Sequence, residues 1–190
     1  MGWREELPLD ALKPFENIIV TGPQRGGTRF TSKLLAHELG GRYHDERRYG
    51  GDDWIKFCWW LQRPLDIAKI FQAPGFMNKV RELDGLGCAI VMMIRPVEDI
   101  ITSEKRISLR MNLRQRELDK YTPGVAATFG SVAEAKYAFW EQVKPTLKNA
   151  FEVRYNELAD HPMFVPRDER KGWKFNQTSP RWKEPVDGTS

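Results

Sequence analysis

Apolar and polar positions alternate along this chain in two rhythms, and those rhythms assign most of its elements. Residues 17–21 form a short apolar run that predicts a first strand. Over 27–39, Phe30, Leu34, Leu35 and Leu39 recur at helical spacing and predict an amphipathic helix, which Gly40-Gly41 stops. Residues 42–45 predict a short second strand ending near Glu46, and 47–53 is a polar, glycine-bearing loop. The aromatic segment Trp54 to Trp60 predicts a helix, and Pro64 and Pro74-Gly75 punctuate the helical region expected after it. After Gly85 and Gly87, the unbroken apolar run Cys88 to Ile94 predicts a central parallel strand buried on both faces. One long charged helix, or two, is expected over 97–120, before Pro123-Gly124. A further amphipathic helix is expected over 131–149 with Ser131 as its cap, and a last strand from Phe151 to Tyr155. Strands separated by helices predict an α/β fold, a three-layer sandwich around a mostly parallel central sheet. At 190 residues the chain is expected to be a single domain, with 164–190, polar and rich in Trp and Lys/Arg, as a lid or loosely ordered tail.

The junction of the first strand and helix carries the chemistry. Val20-Thr21-Gly22-Pro23-Gln24-Arg25-Gly26-Gly27-Thr28-Arg29 runs from a strand through a glycine-rich turn into a helix. Backbone N–H groups in such a turn, with the positive end of the helix, cradle an anion. The spacing Gly22-x4-Gly27 fits a phosphate-binding loop of the P-loop NTPase type. Thr28 stands where that pattern has its lysine, and Arg29 where it has the hydroxyl that holds Mg²⁺. The loop's own cation sits earlier, at Arg25. The best central strand ends in Arg95-Pro96, whereas many nucleoside-triphosphate hydrolases end theirs in a metal-binding Asp. An arginine at a strand end favours a phosphate over a metal.

Composition narrows the classes without choosing among them. Apolar residues make up 41% and charged residues 29%, as in an ordinary globular protein. A formal charge of +4 suits an anionic ligand and is too small to imply a nucleic-acid binder. Cys58 and Cys88 lack metal-ligand spacing and are expected to be buried, reduced thiols. The first sixteen residues have no signal-like apolar stretch, and Glu6 stands where a myristoylation signal needs Ser or Thr. No apolar run is long enough to span a bilayer, so a soluble, cytoplasmic protein is expected, with no membrane partner.

These residues resemble the sulfotransferase family, whose donor is 3′-phosphoadenosine 5′-phosphosulfate (PAPS). Gln24-Arg25-Gly26-Gly27-Thr28-Arg29 is similar to the R-K-G-G-T-R loop of the glycosaminoglycan-type members, with Arg25 at the lysine position. Arg95 and Ser103 have the separation of the family's Arg/Ser pair that grips the 3′-phosphate. Alignment on Pro96 would select Thr102 instead. Val153-Arg154-Tyr155-Asn156-Glu157-Leu158 with Pro162 is similar to the family's late strand and its Y-E-x-L-x-x-x-P continuation, and Arg170-Lys171-Gly172 to an R-K-G folded over the 3′-phosphate in some cytosolic members. The resemblance covers roughly residues 17–163. It implies a sulfotransferase-like P-loop fold, with Gln24, Arg25, Gly26, Gly27, Thr28, Arg29, Arg95, Ser103, Arg170, Lys171 and Gly172 around PAPS and its product 3′,5′-ADP, and no required metal. In the glycosaminoglycan type the general base is a Glu a little over twenty residues past the loop lysine. That offset reaches His44-Asp45-Glu46, where Glu46 is the first choice and His44 the substitute.

The sequence does not fix the acceptor or the oligomeric state; RNA or DNA binding through the basic helix is a minor alternative, and two further classes stand beside the sulfotransferase. One is a P-loop kinase of a nucleotide or small molecule, which needs Mg²⁺ ligands. The other is a nucleotide-binding module without catalysis, which the Arg in place of Lys at position 25 would suit. The run Lys105, Arg106, Arg110, Arg114, Arg116 is interleaved with Glu104, Glu117 and Asp119 and reads as a solvated helix face. The aromatic cluster Trp54, Phe57, Trp59, Trp60 reads as core, with an acceptor pocket as the other possibility.

Overall fold

The computed structural model describes residues 2–105 and 131–164, and the backbone of 174–175 and 182–183. Two short helices, α1 (Trp3–Glu6) and α2 (Leu9–Leu12), precede β1 (Asn17–Thr21). Then follow α3 (Thr28–Glu38), β2 (Arg42–His44), α4 (Trp54–Gln62), β3 (Lys69–Gln72), α5 (Val80–Gly85), β4 (Ala89–Ile94) and α6 (Val97–Lys105). After the undescribed 106–130 come α7 (Val132–Val143) and β5 (Ala150–Arg154), and β6 (Lys174–Phe175) pairs antiparallel with β7 (Trp182–Lys183).

β1 to β5 form one sheet in the order β2-β3-β1-β4-β5, and every pairing is parallel. The chain runs outward from β1 to β2, returns through β3, then crosses to β4 and β5. The order therefore reverses at β1, and the crevice beyond the carboxyl ends of its neighbours is the natural ligand site of such a sheet.

Strand alternation divides the core into two layers. Ile18, Val20, Ile70, Val91, Met93 and Val153 face Leu34 and Leu35 of α3, with Leu7 and Leu12 from the first helices. Ile19, Phe71, Ile90 and Met92 face Phe57 and Leu61 of α4, Val80 and Leu83 of α5, and Trp140 and Val143 of α7. The result is the expected three-layer α/β sandwich around a central parallel sheet. The first helices are tied to the far end of the chain's path. The Glu6 carboxylate accepts from Arg154 N–H, Trp3 N–H donates to Asp160 Oδ1 at 3.2 Å, and the Trp3 ring meets His161 edge-on at 4.2 Å.

The structure departs from the sequence reading at three places. Residues 69–72, expected within a helical region, are β3, which lies between β1 and β2. Lys69-Ile70-Phe71-Gln72 is short and polar at both ends, so no alternation marks it as a strand. Its polar ends are satisfied within the fold, Lys69 Nζ by the Leu61 and Arg63 carbonyls and Gln72 by Tyr43. Cys88 is buried as expected, while Cys58 is only partly so, and both are free thiols. The aromatic cluster splits: Phe57 is core, Trp54 and Trp60 pack at its margin, and Trp59 is exposed.

His44 faces the α4 side of the sheet, 1% exposed, stacked on Phe71 at 4.7 Å and tilted against Trp60 at 5.6 Å. Neither ring nitrogen has a hydrogen-bond partner. Burial, with repulsion from Arg48, Arg42 and Lys69, pushes the imidazole down to about 4.

Two stability predictions follow from this core. Leu34→Ala, at a fully buried position on α3, is expected to cost about 2–5 kcal/mol in urea unfolding. His44 stays neutral in the fold while the unfolded chain takes up a proton as pH falls through 6.5. It therefore removes stability from pH 6.5 down to about 4, on the order of 1 kcal/mol per pH unit, and contributes no slope above that window. His161, also lowered by burial, adds loss of the same sign, so the difference between His44→Phe and wild type isolates the His44 share. Unfolding series at pH 7.5 and 5 should show His44→Phe losing less stability than wild type.

Candidate functional site

The loop leaving β1 is built from backbone that ordinary residues avoid. Gly22 has φ +136°, Gly27 has φ +101°, and Arg25 takes φ +68°, a left-handed conformation costing a side-chain-bearing residue about 1 kcal/mol or more. Gly26 N–H closes a turn onto the Pro23 carbonyl at 2.9 Å. At position 27 a Cβ would lie 2.2 Å from Cδ2 of Tyr155, so the loop passes against that ring as only glycine can. Gly27 is also the N-cap of α3 and offers no side-chain oxygen, which leaves the first amides of the helix for an external anion.

Three segments far apart in sequence converge on this loop. Arg25 Nε donates to Ser103 Oγ on α6 at 3.0 Å, and Arg95, just past β4, donates from Nη1 to the Arg25 carbonyl at 3.0 Å. The Arg95 guanidinium lies 4.7 Å from the Tyr155 ring centroid, a cation–π contact, and its Nε is 3.7 Å from Asp99 Oδ2. That Nε is buried and has no hydrogen-bond partner within the protein. Beneath the strand end, the Tyr137 hydroxyl of α7 accepts from Arg95 N–H and donates to the Arg95 carbonyl, each at 2.8 Å.

Between these groups opens a cleft of about 570 Å³, whose lining includes Gln24, Arg25, Gly27, Thr28, Arg29, Arg95, Ser103 and Glu46. Lys33 and Phe30 of α3, Gln72 and Pro74 after β3, and Tyr155 after β5 complete it. Four cations thus face the cleft with one carboxylate. Arg29 is oriented by Asp45 (Nη2 to Oδ2, 3.1 Å). Asp45 also accepts from the Arg47 N–H at 3.0 Å, and its Oδ2 lies 3.1 Å from the Tyr43 hydroxyl. Burial alone would raise the Asp45 carboxyl, but these bonds and the two arginines hold it below its ordinary value.

Glu46 opens the turn after β2 and is half-buried. Burial and the neighbouring Asp45 raise its carboxyl above the ordinary value, against the opposing pull of Arg29, Arg47 and Lys136. Lys136 of α7 is itself fully buried, with Nζ donating to the Pro74 carbonyl at 3.1 Å. A carboxylate with a raised value, beside an anion-binding loop, has the character of a general base.

Of the residues singled out from sequence, Gln24, Arg25, Gly27, Thr28, Arg29, Arg95, Ser103 and Glu46 therefore share one cleft, and Gly26 belongs to the loop that shapes it. Of the two candidates for gripping a phosphate with Arg95, Ser103 lines the cleft and Thr102 is exposed outside it. His44 is set apart, on the α4 face of the sheet. Arg170, Lys171 and Gly172 lie outside the described residues, as do Arg106, Arg110, Arg114 and Arg116. Sequence reasoning missed Lys33, Gln72 and Pro74, for which no spacing signal exists, and took Tyr155 only as part of a motif. Among the described residues no group of three or more His, Cys, Asp or Glu is placed to hold a metal ion, and no helix is long and apolar enough to cross a membrane.

No protein-family model matches the chain, and no curated protein matches it significantly. Among solved structures it is similar to shikimate kinase from Acinetobacter baumannii in complex with shikimate, at 18% identity and a TM-score of 0.40, over 73% of this chain and 81% of that one. So distant a likeness says nothing of activity, which rests on the residues of the cleft.

Proposed function

We propose that the cleft binds PAPS and transfers its sulfuryl group to a hydroxyl or amine of an acceptor. The observation that carries this reading is the single network joining Arg25, Ser103 and Arg95, residues 78 and 70 positions apart, around a helix N-terminus without a side-chain cap. Such a network suits a donor with anionic groups at two points, one on the loop and one between Arg95 and Ser103.

Each residue then has a defined task. The amides of Gly26, Gly27 and Thr28 and the Thr28 hydroxyl hold the 5′-phosphate. Arg25 stabilises the negative charge that grows on the bridging oxygen as the S–O bond to phosphate breaks. Arg95 and Ser103 grip the 3′-phosphate, and Arg170-Lys171-Gly172 would add to that grip. Glu46 takes the proton of the acceptor as its oxygen attacks sulfur in line. No metal enters this scheme, because Thr28, Arg29 and Arg95 stand where metal-dependent phosphoryl transfer has its lysine, hydroxyl and acid.

A second reading, phosphoryl transfer from ATP, draws support from one feature. Glu46 and the Thr28 hydroxyl line the same cleft and are oxygen ligands of the kind Mg²⁺ takes. Binding decides between the two. Calorimetric titration without metal should show 3′,5′-ADP binding more tightly than 5′-AMP, with the preference lost in Arg95→Ala. Tight binding of ATP only with Mg²⁺ would replace the sulfotransferase reading with the kinase one. In turnover assays with PAPS over an acceptor panel, Glu46→Gln is expected to lower kcat by roughly 10²–10⁴-fold and leave 3′,5′-ADP affinity near wild type. The wild-type rate should fall with decreasing pH below a midpoint above the usual glutamate value of 4.5, a limb that Glu46→Gln lacks.

A further inference from the structure

Arg95 occupies an awkward place in the backbone. It is the first residue past β4, whose last paired residue, Ile94, sits opposite Arg154, and it is followed by Pro96, which has no N–H to give. Its own N–H and carbonyl project beyond the sheet ladder, and one side chain takes both. The Tyr137 hydroxyl accepts from the N–H and donates to the carbonyl, both at 2.8 Å. One oxygen thus closes a two-point clamp on either side of the Arg95 Cα. Tyr137 does not line the cleft. Its ring packs at the margin of the core on the α4 side of the sheet.

The clamp matters because of where the guanidinium must go. Arg95 spans from β4 to the loop, with Nη1 on the Arg25 carbonyl and the Tyr155 ring against its face. Its Nε is buried, makes no hydrogen bond within the protein and lies 3.7 Å from Asp99 Oδ2. A guanidinium binds an anion through a rigid fork, so small errors in the direction of its stem cost whole hydrogen bonds. We infer that Tyr137 is a positioning residue, which sets the aim of Arg95 through its backbone and thereby the affinity of the cleft for the anion Arg95 holds. The identity of that anion as the 3′-phosphate of the donor rests on the function proposed above; the clamp itself does not.

The test compares wild type, Tyr137→Phe, Arg95→Ala and the double variant in calorimetric titrations with 3′,5′-ADP and 5′-AMP. Tyr137→Phe keeps the ring and removes the hydroxyl, leaving two backbone groups unpartnered. It should weaken 3′,5′-ADP roughly tenfold and leave 5′-AMP unchanged. In the Arg95→Ala background it should cost nothing further, because the two residues act through one interaction. A merely structural role would weaken both nucleotides together, and that result, or equal losses added in the double variant, would overturn the assignment. Wild-type protein that binds 3′,5′-ADP no better than 5′-AMP would end the donor reading alone. The same four proteins titrated with inorganic pyrophosphate then decide the clamp by the same criterion. Failure of pyrophosphate to bind, or to respond to Arg95→Ala, would overturn the clamp as well. Should Tyr137→Phe not fold, amide hydrogen exchange in the wild-type protein gives the answer. Protection of the Arg95 N–H comparable to that of β4 supports the clamp, and exchange as fast as in a solvent-exposed loop overturns it.

Discussion

The working end of this protein depends on how closely the loop after β1 can lie against the residue that follows β5. The Tyr155 ring fills the space a side chain at position 27 would need, and it also meets Phe30 edge-on at 6.2 Å and supports the Arg95 guanidinium at 4.7 Å. One aromatic ring therefore sets the start of α3, the path of the loop and the position of a cation from another strand. Gly22 makes a second close approach, with a Cβ there only 3.1 Å from the Met93 carbonyl. The glycines of the loop answer to packing as much as to dihedral angle. A bulkier residue at either place would move the helix N-terminus away from the cleft, and with it the amides that give the cleft its sign.

The charge in the cleft is arranged in advance by acids that sit outside it. Asp45 holds Arg29 and Asp99 stands beside Arg95, so two of the four cations already have carboxylates setting their direction. Such fixed charges need no reorganisation when a ligand's charge arrives, which is how a protein stabilises an anion better than water does. Support comes equally from the opposite layer. Consecutive residues of α7 reach the site from below, Lys136 to the Pro74 carbonyl and Tyr137 to the backbone of Arg95. That helix contributes no side chain to the lining described here, yet it holds two of the segments that do.

What could be read in the sequence follows how local each signal is. β1, the loop and β4 were legible because continuous apolar runs end in residues with special chemistry, and those signals lie within a dozen positions. β3 was not. Its polar ends, Lys69 and Gln72, are explained only by partners on α4 and β2 that the chain reaches by folding. In the cleft, Arg25, Thr28, Arg95, Ser103 and Glu46 could be found by spacing, whereas Lys33, Gln72 and Pro74 arrive from neighbouring elements without any motif. His44 lies outside the cleft, whereas Glu46, past the end of β2 in the turn that follows it, lines the cleft. Adjacent residues on β2 point to opposite faces, so Tyr43 meets the α3 layer and His44 the α4 layer. Sequence distance from the loop cannot reveal either placement.

The tie between the first helices and the region after β5 bears on how the chain is assembled during synthesis. Leu7 and Leu12 are buried with Val153, Leu158 and Met163, and Glu6 accepts from the Arg154 amide. The segment carrying α1 and α2 therefore finds its partners among residues made some 150 positions later. Until then its apolar face stays open while β1 to β4 are already able to pair. Such long-range closure slows folding and leaves hydrophobic surface exposed for longer. The last strand of the five-stranded sheet and the first helices thus complete each other's packing, and Tyr155, the residue after β5, lies against the loop. The ring that shapes the loop thus becomes available only after β1 to β4 have been made.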